Sequence, residues 1–105
     1  EIAYTCCLQE VKLIADLLYQ GGINFMHNSI SDTAEFGDYV TGPRIIDDHT
    51  RTQMRAALKD IQNGTFARTW ILEKQAGYPM LHTMRQRDAQ HPIEAVGERL
   101  RQMLP

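Results

Sequence analysis

The 105-residue chain holds only two cysteines, and they are neighbours, Cys6 and Cys7. Adjacent cysteines rarely bridge each other, and no CxxC or Cys/His metal spacing is present, so neither a disulfide framework nor a structural zinc cluster is expected. A reducing, cytoplasmic compartment fits best. Neither sign of charge dominates: the net charge is -2, which gives no electrostatic case for nucleic acid or an anionic membrane. No apolar run approaches the roughly 18–20 residues that span a bilayer, and no charged-then-apolar leader opens the chain. Almost nothing alternates with a strand's period of two. A glycine-rich phosphate loop is missing too, since "YQGGIN" lacks the flanking strand and the spacing of a dinucleotide fingerprint. The four histidines, His27, His49, His82 and His91, show no H-x-x-x-H spacing and read as surface or capping residues. Ser29 and Ser31 have no His or Lys motif beside them, so helix capping is their expected role. What is left is one all-α domain, soluble and without a membrane segment. It starts on Glu1, without Met and inside a helix, and so reads as a fragment or a processed chain.

What the chain does have is helical spacing. At about 100° per residue, Ala3, Cys7, Val11, Ile14 and Leu18 form one stripe, widened by Leu13 and Leu17. Thr5, Gln9, Lys12 and Asp16 share the opposite side. "QGG" at 20–22 is expected to end this helix, because glycine takes left-handed backbone cheaply. A short apolar patch, "INFM", leads into a second helix that Ser31 or Asp32 caps and Gly42-Pro43 stops. After an extended "RII", Asp47 or Asp48 offers a cap for a helix with Met54, Ala57, Leu58 and Ile61 on one face. Asn63-Gly64 closes it. Thr65 is expected to cap the next helix, which carries Phe66, Trp70 and Ile71 and ends at Gly77. Met80, Leu81 and Met84 keep helical spacing and read as core. Pro92 suits a first turn, and Ile93, Val96, Leu100 and Leu104 make the last stripe. The first helix is apolar over more than half its circumference, which predicts burial on several sides, between subunits.

Glu10 stands inside that apolar arc. A carboxylate there must be paired, protonated or bound to a cation, because an unpaired buried charge is costly. One reading is an ion pair with Arg or Lys from another helix; the other is a ligand for a hard metal ion or an acid–base group. Cys6 lies one turn earlier on the same edge, so thiolate and carboxylate could form half of a soft-metal site. Cys7, on the core stripe, reads as a small buried hydrophobe.

Taken together, "AYTCCLQEVKLIADLLYQGGI", "NSISDTAEFGDYVTGPRII", "DIQNGTFARTWILE" and "HPIEAVGERLRQMLP" closely resemble the C-terminal helical domain of bacterial-type, short-form ketol-acid reductoisomerase. That enzyme, also called acetohydroxyacid isomeroreductase, acts in isoleucine and valine synthesis. The resemblance covers essentially all of the chain, while the family's nicotinamide-binding Rossmann domain has no counterpart in it. It implies a homodimer in which the helical domains intertwine into a knot. It also implies two magnesium ions held between Rossmann-domain acids and two glutamates, one turn apart, on the first helix, with NADPH reducing the acetohydroxyacid after its alkyl migration. Glu10 matches the second glutamate, and Ser31 matches the family's substrate-contacting serine. Cys6 stands where the first glutamate belongs, and a thiol is a poor magnesium ligand. Thr5, Gln9 and Asn28 depart as well, from an aromatic, a histidine and a tyrosine. These departures lead us to expect a dimerisation module that is catalytically incomplete alone, engineered or reconstructed from the enzyme or naturally diverged. Two further readings stand beside it: an active-site half that works once a Rossmann domain is supplied, and a new soft-metal site at Cys6 and Glu10 across a dimer axis.

Overall fold

A computed structural model describes residues 1–104. Every regular element among them is helical: α1 (Ile2–Tyr4), a π-helical turn (Thr5–Gln9), α2 (Glu10–Ser29), α3 (Asp32–Ile45), α4 (Asp48–Gln62), α5 (Thr65–Gln75), α6 (Pro79–Gln90) and α7 (Pro92–Met103). The all-α class expected from the spacing is therefore the observed one. None of the described helices is long and apolar enough to cross a membrane. The chain divides into two units, one of residues 1–35 with the chain from 87 onward, the other of residues 36–86.

In the first unit, α1, the π turn and α2 run on without a gap. The expected stop at "QGG" takes the form of a break inside α2: Gly22 has φ 81° and ψ -171°, a combination essentially confined to glycine. The helix resumes at once, so Ile23 to Met26 are helical where the spacing suggests only a lead-in. His27, expected at the surface, is instead buried in the last turn of α2. At the other end of the unit, the imidazole Nδ1 of His91 accepts from the Ile93 amide at 3.1 Å and caps α7, with Pro92 in its first turn. Ile93, Val96 and Leu100 of α7 are half-buried, and Leu104 lies past the helix end, exposed.

α3 opens on Ser31, whose Oγ accepts from the Ala34 amide at 3.1 Å. Gly42-Pro43 does not stop it: Pro43 sits within the helix, which continues to Ile45. Proline removes one amide from the ladder, yet the Ile46 amide still reaches the Gly42 carbonyl at 2.9 Å. "RII" is therefore largely helical, and the chain extends only at Asp47, φ -127°.

In the second unit, Asp47 and Thr50 form a reciprocal capping box on α4. The Thr50 amide donates to Asp47 Oδ1 at 3.2 Å, and the Asp47 amide to Thr50 Oγ1 at 3.3 Å. Gly64, at φ 84°, takes the cap position of α5, and Thr65 is the first helical residue, its amide bonded to Asn63 Oδ1 at 3.0 Å. α5 ends in a paired reverse-turn closure: the Tyr78 amide bonds the Glu73 carbonyl at 2.9 Å, and the Gly77 amide the Lys74 carbonyl at 3.1 Å.

The Glu73 carboxylate then reaches forward to α6. It accepts from the Met80 amide at 3.3 Å and the Leu81 amide at 2.7 Å, satisfying donors that the first turn of a helix leaves open. Glu73→Ala is expected to lower stability by about 1 kcal/mol, in the range of other lost N-terminal caps. Urea unfolding at fixed protein concentration measures it, and an unchanged midpoint would show that the carboxylate does not anchor α6.

Candidate functional site

The sequence singles out Cys6, Glu10 and Ser31. Cys6 lies inside the π turn, and Glu10 follows it as the first residue of α2; the Glu10 amide donates to the Thr5 carbonyl, the longer loop that makes the turn wide. Such widened turns within α-helices recur at functional sites. Geometrically the wide turn holds one residue more, so residues before it are turned by about 100° from where a straight helix would put them.

Two expectations change. Cys7, read as a buried hydrophobe, is exposed, like Val11 and Leu13 on the same apolar arc; Cys6 is exposed as well. Glu10 is also exposed and makes no ion pair among the described residues, so the structural ion pair is not present in this chain. The apolar arc around it is itself open: Val11 is 58% exposed and Leu13 55%.

Ser31 stands beyond the other end of α2, with its oxygen engaged as the α3 cap. Cys6 and Glu10 therefore share one stretch of helix, and Ser31 belongs to another. The described residues contain no group of three or more His, Cys, Asp or Glu side chains able to hold a metal ion. One thiol and one carboxylate do not fit a pair of hard cations, which need several oxygen ligands each.

The second unit carries an apolar groove of about 560 Å³ lined by Phe66, Trp70, Leu72, Met80, Leu81 and Met84. Met80 and Met84, expected in the core, face this open groove. The ring of Trp70 lies 5.5 Å from that of Tyr78, and Tyr78 adopts φ 60° in the turn before Pro79. Pliable Met and aromatic side chains of this kind suit contact with another apolar surface.

One contact in the first unit has no counterpart in the sequence reading. Tyr4, the residue before the π turn, lies against Gly97 of α7, and its hydroxyl accepts from Arg101 Nη1 at 2.9 Å. A glycine inside the amphipathic pattern of α7 is the signal that could have found it.

Known proteins match over the same span. The family model described as ketol-acid reductoisomerase, C-terminal domain, matches residues 1–105. The structure of an NADH-preferring ketol-acid reductoisomerase from an uncultured archean is similar at a TM-score of 0.94 and 41% identity, over 98% of this chain and 31% of that one. The chain thus spans about a third of the length of that protein.

Proposed function

Because the chain belongs to the family of ketol-acid reductoisomerase C-terminal domains, we propose that it is the dimerisation module of such an enzyme, a single helical domain that is catalytically incomplete without a Rossmann domain. One observation carries the reading: among the described residues no hydrophobic side chain is buried. Val11, Leu13 and Leu18 on α2, Met54, Leu58 and Ile61 on α4, and Phe66 and Trp70 on α5 are all exposed. A folded chain of this length exposes roughly 6,000 Å², whereas this one exposes 9151 Å². An excess of that size matches an obligate subunit interface and far exceeds the surface of a transient contact.

A second copy of the chain is the partner this reading supplies, intertwined with the first as the family resemblance implies. Light scattering at micromolar concentration is expected to give the mass of two chains. A well-folded monomer would overturn the proposal.

The enzyme's activity, magnesium- and NADPH-dependent conversion of an acetohydroxyacid in branched-chain amino-acid synthesis, would reach this chain only together with a Rossmann domain. Cys6 makes the module's share of that site deficient by one carboxylate, a change that fits a scaffold whose catalytic face has been given up by engineering, reconstruction or divergence. A second reading is favoured by Glu10, whose carboxylate is exposed and free of ion pairs: the module keeps half of the active site, with Ser31 toward the substrate, for a Rossmann domain supplied separately.

A further inference from the structure

The π turn has little support of its own. None of its five residues is buried, and no side chain caps it. The hold that is visible comes from outside, one residue upstream. Tyr4 lies with its ring on Gly97: a Cβ built there would come within 2.9 Å of the ring's Cδ2 and closer still to Cε2. Only Gly97 and His27 are buried among the described residues. Arg101, one turn further along α7, bonds the Tyr4 hydroxyl at 2.9 Å, with its guanidinium carbon 5.9 Å from the ring centre. Nearby, Arg99 Nη2 reaches Glu1 Oε1 at 3.5 Å.

If residues 5–9 closed into ordinary α turns, α1 would rotate by about 100° and slide by about 1.5 Å relative to α2. That motion lifts the ring from Gly97 unless α7 travels with it. The seat of Tyr4 and the width of the turn are coupled. We infer that Tyr4, seated on Gly97 and tied to Arg101, is the positioning residue that keeps the turn wide and so sets the directions in which Cys6 and Glu10 leave the helix. The value of those directions rests on the half-site reading above; the coupling itself does not.

Hydrogen-bond scalar couplings in the isotope-labelled chain identify the acceptor of the Glu10 amide. In the unaltered chain it is expected to be the Thr5 carbonyl, and a coupling to Cys6 would overturn the inference outright. Gly97→Ala, which puts a methyl group where the ring lies, is expected to move the coupling to the Cys6 carbonyl. Tyr4→Ala should do the same, while Tyr4→Phe keeps the ring seated and the acceptor at Thr5. If Gly97→Ala does not fold, Tyr4→Ala decides, and a retained Thr5 coupling in either folded variant overturns the inference. A purely structural contact would lower the melting temperature and leave the acceptor unmoved. Failure to restore turnover with a Rossmann domain would bear on the half-site reading and leave these couplings unchanged.

Discussion

Thermal unfolding of the chain is expected to move up by roughly 3–6 °C for each tenfold rise in protein concentration. The reason is that association supplies the burial that a single chain lacks. The excess exposed surface is on the order of 3,000 Å², more than half of it apolar on average composition. At about 25 cal/mol per Å², the missing burial amounts to tens of kcal/mol. Folded domains are stable by only about 5–15 kcal/mol, so a shortfall of that size is decisive even after generous discounting for a compact unfolded state. Folding and dimerisation should then be one equilibrium. Tenfold dilution costs it about 1.4 kcal/mol, spread over two chains that unfold together. Val11→Asp, on the exposed apolar stripe at the start of α2, is expected to remove the cooperative transition altogether, because it buries an unpaired carboxylate in the interface. Calorimetry across a hundredfold range of concentration tests the first expectation. A midpoint that does not move would mean that the single chain finds its own core.

Where side-chain chemistry acts within a turn of its own backbone, the sequence was legible. Asp47 with Thr50, Asn63 before Gly64, and His91 before Pro92 mark helix ends at or next to the expected places. Each rests on a cap or a left-handed residue that local sequence specifies. Pro43 misled because its penalty is local, while two more helical residues follow it before the bend. The π turn was invisible for a different reason: a single widened turn has no residue signature, and it shifts every upstream position on the wheel. Cys7 belongs to an arc that a single chain leaves open, and the lack of a histidine spacing motif said nothing about the burial of His27. The Tyr4–Gly97 contact joins residues far apart in the chain, which periodicity cannot pair. Of the site, Glu10 and Cys6 stood out by their places on the helical wheel, the family resemblance gave them and Ser31 their roles, and the openness of Glu10 came only from the structure. An apolar arc on a wheel says that a face will be covered, and it does not say by which chain.

Supplied with a Rossmann domain of the family, NADPH, magnesium and 2-acetolactate, the chain is expected to show no measurable NADPH oxidation, and Cys6→Glu to restore it. The difference rests on ligand chemistry at one position. A thiol is soft and offers magnesium no oxygen, whereas a glutamate one turn before Glu10 returns the second carboxylate that hard cations require. Altering groups that merely hydrogen-bond a metal ligand costs roughly 10- to 100-fold, so regaining a ligand should raise turnover by more than about 100-fold. Cys6→Ser serves as the control, since it removes the thiol without adding a carboxylate and should stay inactive. Zinc titration of the same three proteins separates the soft-metal reading: affinity that falls in Cys6→Ser would support it, and equal affinities would remove it. Turnover by the unaltered chain would show that Glu10 suffices on this side of the site, making the module an active half and not a scaffold. If Cys6→Glu is folded, dimeric and still inactive, the deficiency lies elsewhere. Thr5, Gln9 and Asn28, the other departures from the family pattern, are then the next positions to restore, and Thr5 and Gln9 lie in the same wide turn as Cys6.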